Sequence, residues 1–202
     1  MISTTRQLVG ALLLGAVTVT ATASGSPTTV TAKSVTYVDE RGEDPGAPDI
    51  TTVDVSNDDA GRLSFRVNTP GRQRMTQDMR VRVVFSTRGK LYFLLADPYK
   101  PSPVKVALYR CEPGTAGDVV CSPFGGTSLT FRYARGARFS FNVSEFGIDP
   151  AVDKRVAITF DALIYAGLRV TPGAGFDFSE VRQDRAPSRH PRTFRYVAVF
   201  DP

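Results

Sequence analysis

Apolar and polar residues alternate with a period of two along much of the chain, as they do in strands that bury one face. The alternation restarts about every ten residues between clusters of turn formers, the spacing of an all-β sandwich or barrel. Ile50–Ser56 alternates with one slip, and Asn57-Asp58-Asp59-Ala60-Gly61 then supplies a turn. Beyond it Leu63, Phe65 and Val67 alternate with Ser64, Arg66 and Asn68, which predicts a half-buried hairpin. Arg80–Ser86 sets Val81 and Val83 against Arg80 and Arg82, whereas Lys90–Ala96 (KLYFLLA) is apolar almost throughout and predicts a central strand. Val104–Tyr109, Asp118–Cys121, Ser128–Ala134, Ala137–Val143, Arg155–Ile164 and Thr193–Phe200 continue the series. A single helical turn is expected around Val143–Phe146. Tyr165–Pro191 has no strand pattern and is expected to pass over one end as a surface excursion. The predicted fold is an all-β antiparallel β-sandwich of about ten strands, jelly-roll or immunoglobulin-like.

The first 34 residues depart from this pattern. Residues 1–23 have the build of a cleaved secretory signal peptide: Arg6, an apolar run from Leu8 to Val19, then Ala21-Thr22-Ala23 as a small-x-small cleavage site. The run is shorter than the roughly 20 residues that a membrane-spanning helix needs. Residues 24–34, rich in Ser and Thr, read as a flexible lead-in, which leaves 35–202 as the sandwich domain. No transmembrane segment is expected in the mature chain, and the expected location is secreted, extracellular or in the cell envelope. Cys111 and Cys121 are the only cysteines, and the residues between them contain two turn signals. In an oxidising compartment they are expected to form a disulfide across a small hairpin, stabilising by about 2–3 kcal/mol.

Composition adds one domain's worth of core and little specific chemistry. The chain has 202 residues, 42% of them hydrophobic, with 14 Pro and 17 Gly, which suits one sandwich with many connections. Its 25 basic residues are mostly Arg and stand against 20 acids, for a net charge of +5. Because the arginines are interleaved with acids from Arg41 to Arg195, they read as solvated strand faces, and nucleic acid is not an expected partner.

Two segments resemble a group of exported β-sandwich proteins common in actinobacteria. Tyr37–Val67 (YVDERGEDPGAPDITTVDVSNDDAGRLSFRV) is similar to the group's acidic D-x-x-G-D…APDI segment and the V-S-N-D-x-x-G-x-[IL]-x-F-R-V hairpin that follows. Phe176–Pro187 (FDFSEVRQDRAP) resembles its closing D-x-A-P segment before a last strand. The group looks like DOMON-like or carbohydrate-binding family 9-like domains, most of them without an assigned activity, so the resemblance implies a fold more than a function. Sugar-binding relatives present Trp or Tyr as stacking platforms, and this chain has no Trp. Haem-binding relatives use Met and His; here the sole His is His190, between Arg189 and Pro191, with Met75 and Met79 in a polar segment.

No reaction is specified by the residues. There is no Gly-x-Ser-x-Gly elbow, His-Glu-x-x-His helix or phosphate-binding glycine loop. Phe124-Gly125-Gly126-Thr127-Ser128 reads as a turn before a strand rather than an oxyanion loop, and no catalytic residue is nominated. Asp39, Glu40, Glu43, Asp44 and Asp49 cluster among Gly42, Pro45, Gly46 and Pro48. Calcium takes about six to eight oxygen ligands, and a bent acidic loop can wrap one, so Asp39, Asp44 and Asp49 are candidate calcium ligands. A solvated acidic turn has the same composition. The preferred expectation is a non-catalytic binding or structural envelope module whose partner is a glycan, a wall polymer or a protein. The alternatives are a secreted hydrolase with paired loop carboxylates, or an anionic-polymer binder using Arg132, Arg135 and Arg138 with Arg72, Arg74, Arg80 and Arg82.

Overall fold

The computed structural model describes residues 20–22, 30–31, 33–40, 42, 44, 46–98, 104–114, 118–124, 128–171, 175–177, 181–188 and 192–201. Two short strands, β1 (Thr20–Thr22) and β2 (Val30–Thr31), precede a meander of β3 (Ser34–Val38), β4 (Thr52–Asn57) and β5 (Arg62–Asn68). A second meander follows: β6 (Arg80–Thr87), β7 (Lys90–Asp97), β8 (Lys105–Pro113) and β9 (Val119–Pro123). The chain then forms the hairpin β10 (Thr130–Tyr133) and β11 (Gly136–Asn142), a 3₁₀ turn at Val143–Phe146, and the long β12 (Arg155–Ala166). It ends with β13 (Arg169–Thr171), β14 (Gly175–Asp177), β15 (Arg182–Ala186) and β16 (Phe194–Val199).

These strands make an antiparallel sandwich. One sheet has the order β3-β4-β5-β11-β10, with β1 parallel to β3 at its edge. The other has the order β16-β12-β6-β7-β8-β9, with β15 also on β12 and β2 parallel to β16. The two short parallel pairings fall within the spans read as leader and lead-in. Both sit at sheet edges, so the antiparallel frame of five and seven strands is complete without them.

The core lies between the sheets and is rich in aromatic rings. Phe65 of β5 meets Phe85 of β6 at 5.6 Å and Phe160 of β12 at 5.3 Å, while Phe85 stacks on Phe141 of β11 at 5.7 Å. The 3₁₀ turn carries the chain from β11 to β12 and inserts Phe146 edge-on against Tyr92 at 4.7 Å. Two tyrosines pin the sheets along one side. Tyr37 of β3 donates its hydroxyl hydrogen to the Arg195 carbonyl of β16 at 2.7 Å, and Tyr196 of β16 donates to Asn57 Oδ1 at the end of β4. Burial raises both phenols well above their ordinary value.

The β10–β11 turn requires a glycine. Arg135 has φ of 53° and Gly136 152°, and a Cβ on Gly136 would lie 2.4 Å from the Val67 carbonyl oxygen of β5. That close approach lets β11 pair with β5 along its full length.

The stretch 165–191 contains more structure than its pattern predicts. β15 runs antiparallel to β12, pairing Ala186 with Ala162 and Arg182 with Ala166. Its sequence, Arg-Gln-Asp-Arg-Ala, has no apolar alternation because the inward position is held by a carboxylate: Asp184, opposite Ile164, is buried and accepts a hydrogen bond from Ile50 N–H.

Candidate functional site

The acidic loop lies along β15, from Arg182 at its start to Ser188 just past its end. Asp39 is buried, and its Oδ1 accepts from Ser188 N–H at 3.1 Å and the Ser188 hydroxyl at 2.9 Å. Asp44 Oδ1 accepts from Gly46 N–H at 2.9 Å, with the Arg182 guanidinium at 3.9 Å. Asp49 Oδ1 accepts from Gly42 N–H at 2.8 Å. Each of the three nominated carboxylates thus caps a backbone donor in a different place, and Glu43 lies outside the described residues. Among the described residues no group of three or more His, Cys, Asp or Glu is arranged to hold a metal ion. With Asp184 holding Ile50, the chemistry here is that of a loop latched onto the fold by charge-assisted hydrogen bonds.

The other nominated groups also have structural surroundings. Met79 is a fully buried core residue and Met75 packs against the core, while His190 lies outside the described residues. Ser128 donates to Glu145 and accepts from Asn142 N–H at 2.8 Å, fixing the start of β10; Gly125–Thr127 fall outside the described residues. Asp161, outward on β12, is buried and ion-paired with Arg185 of β15. Cys111 and Cys121 form the expected disulfide, joining directly opposed positions of β8 and β9.

What sequence reading did not single out is the outer face of the seven-stranded sheet. Strand alternation turns Tyr92, Leu94 and Ala96 of β7 into the core and leaves Leu91, Phe93 and Leu95 on the outside. Register sets Val84 of β6 and Tyr109 of β8 on either side of Phe93. Phe93 and Tyr109 stack on each other, with centroids 4.3 Å apart and planes 13° from parallel. All five of these apolar and aromatic side chains are half-buried, with no second layer over them among the described residues. Toward the sheet edge the apolar surface continues to β9, where Val119, on the same side as Cys121, is 59% exposed. Around it stand charged groups already paired: Arg80 with Asp97 at 2.8 Å, Asp161 with Arg185, and Arg82 over the Tyr165 ring at 5.8 Å. An apolar centre with a polar rim is the anatomy of a protein-binding surface. Because the two rings lie face to face, they present edges outward rather than an open stacking platform for a sugar.

The sequence signal for this face is present in KLYFLLA. A strand apolar on both sides needs cover on both sides, and here the sheet provides it on one. Comparison with protein-family models, curated proteins and solved structures returned no match. Among the described residues no helix is long and apolar enough to cross a membrane.

Proposed function

We propose that this chain is a non-catalytic binding module acting outside the cytoplasm, and that it docks a protein partner on the outer face of its seven-stranded sheet. One observation carries the reading: the apolar surface formed by Leu91, Phe93, Leu95, Val84 and Tyr109 runs without a charged interruption to the exposed Val119 on an edge strand. Burying such a surface gains roughly 25 cal/mol per Å² of apolar area removed from water. The disulfide and the signal-like leader support an oxidising, exported location. A build like that of DOMON-like domains belongs to the same reading. Hydrolysis by loop carboxylates has less support, because Asp39, Asp44 and Asp49 are engaged by the backbone N–H groups of Ser188, Gly46 and Gly42.

The test uses the mature, non-reduced domain against two fractions of the parent envelope, extracted proteins and protein-free wall polymer. Wild type and Arg138→Gln, altered on the opposite face, are expected to be retained saturably by the protein fraction. Phe93→Glu is expected to bind at least about tenfold more weakly. Retention by polymer alone, or undiminished binding of a folded Phe93→Glu, would sink the reading. Intact mass of the exported chain should place its first residue at Ser24; a chain retained in the cytoplasm with its leader would refute the location.

A further inference from the structure

The outer face of the five-stranded sheet carries a row of arginines that form no ion pair among the described residues. Register places Arg66 of β5 opposite Arg138 of β11, and Arg138 opposite Arg132 of β10. Three guanidinium side chains therefore stand side by side on three adjacent strands, spaced about 4.8 Å from one strand to the next. Like charges directly opposite one another destabilise a sheet. The acid at the end of the row is turned to neutral donors: Asp54, opposite Arg66, accepts from Thr36 Oγ1 and Asn68 Nδ2, both at 2.8 Å. Among the described residues none of the three arginines has a hydrogen-bond or ion-pair partner, while Arg80, Arg88, Arg110 and Arg185 on the other sheet all do.

We propose that this row binds an anionic polysaccharide bearing carboxylate groups. A planar guanidinium takes a carboxylate through two parallel hydrogen bonds, and three in line span roughly 10 Å across the strands, so an extended polymer lying crosswise meets them in succession. Next to the arginines runs a row of hydroxyls, Ser56, Ser64, Ser140 and Thr130, set by the same register; Ser140 is buried, and the half-buried Ser56 and Ser64 with the exposed Thr130 are the ones that can meet sugar hydroxyls. Ser64 and Ser140 are 2.6 Å apart, and Arg62 at the margin donates to Thr130 at 2.9 Å. Single-stranded nucleic acid is disfavoured because the aromatic residues of these strands, Phe65, Phe131, Tyr133, Phe139 and Phe141, all lie on the inner side, so that the three strands offer bases no outward ring to stack on. The row is independent of the apolar face on the other sheet.

The mature domain would be titrated with polygalacturonate, its methyl-esterified neutral form, polyphosphate and single-stranded DNA. Saturable binding is expected for polygalacturonate alone, weakening roughly tenfold or more when NaCl rises fourfold. Arg138→Gln should lose at least about tenfold in affinity while its melting temperature stays level or rises, because a like-charge contact is removed. Phe93→Glu should bind polygalacturonate as wild type does, which separates this site from the apolar face. Equal binding of the esterified polymer, tighter Arg138-dependent binding of polyphosphate or DNA, unchanged affinity in Arg138→Gln, or a fall in its melting temperature would each overturn the proposal.

Discussion

Along the row through Arg66, the outward side chains of the five-stranded sheet are Thr36, Asp54, Arg66, Arg138 and Arg132. Along the row through Phe93, those of the seven-stranded sheet are Asp161, Val84, Phe93, Tyr109 and Pro123. The inner faces of the same strands show no such contrast; Phe65, Phe141, Phe85 and Phe160 meet in one core. Inward positions are fixed by the need to exclude water, and a polar outer face satisfies folding on either sheet. The apolar outer face therefore exceeds what folding asks for, as does the unpaired arginine row. The two faces depart from a plain solvated sheet in opposite directions, one toward apolar contact and one toward anions.

Truncating one ring of the core and one ring of the outer apolar face tests this contrast most severely. Phe65 is fully buried against Phe85, Phe141 and Phe160, so Phe65→Ala is expected to cost about 3–5 kcal/mol. In a chain of this size that lowers the thermal midpoint by roughly 6–20 °C. Phe93→Ala loses a half-buried ring with one stacked neighbour and should cost about 1 kcal/mol. Equal losses in denaturant melts would mean that Phe93 is already covered, and the open apolar face would disappear from the comparison.

The inner half of this contrast is legible in the sequence and the outer half only in part, since Arg132 and Arg138 stand out as anion binders together with Arg80 and Arg82, which belong to the other sheet. Period-two alternation located β4, β5, β6 and β11 because their inward residues are apolar and their outward ones polar. The two cysteines and the single turn at Val143–Phe146 were equally readable, since both are local signals. The Arg66–Arg138–Arg132 row was not. Arg132 and Arg138 sit on one hairpin, but Arg66 joins them through a pairing between strands some 70 residues apart, which no local pattern encodes. β15 leaves no strand pattern in the sequence because its buried residue is Asp184, whose polarity reads as exposure until its partner Ile50 N–H is known. In the sequence the acidic loop is one cluster of charges, whereas the structure spreads those charges over separate backbone donors.

The edge of the apolar face is expected to depend on the disulfide. Cys111→Ser paired with Cys121→Ser should cost about 2–3 kcal/mol by freeing the β8–β9 ribbon in the unfolded chain. Native-state amide exchange should speed up in β9 and leave β10 and β11 unchanged, because β9 touches its sheet through β8 alone. If β10 and β11 loosen as much as β9, the two faces are not separately stabilised units.

Asp184 points inward where the loop of residues 39–50 meets the seven-stranded sheet, whereas both rows face outward. Removing its carboxylate leaves Ile50 N–H buried without that acceptor, so Asp184→Ala should cost about 2 kcal/mol. Asp184→Asn keeps an acceptor oxygen and should recover part of it. Neither change should alter binding at Phe93 or at Arg138; a loss at either would tie that face to the loop.

The smallest effect is expected from the tyrosines that join the two sheets, and it carries a pH signature. Tyr37→Phe removes one hydrogen bond to the Arg195 carbonyl, and Tyr196→Phe one to Asn57; each should cost about 1 kcal/mol at neutral pH. In the folded chain burial holds both phenols protonated well above their ordinary value of 10.0. The unfolded chain releases those protons as pH passes about 10, where the folded chain retains them, so it then binds fewer protons than the native state and stability falls with rising pH. Below that pH both states are protonated, and this contribution is fully present. Urea midpoints should therefore be insensitive to these two groups from pH 7 to about 9.5 and decline above about pH 10. Tyr92 and Tyr133 shift in the same direction, so the Tyr37→Phe, Tyr196→Phe pair should shallow the decline without abolishing it. An alkaline slope unchanged in that pair would place the decline elsewhere and leave the tyrosines as hydrogen-bonding pins alone. A slope that vanished would make this one seam between the sheets the whole of the molecule's alkaline sensitivity.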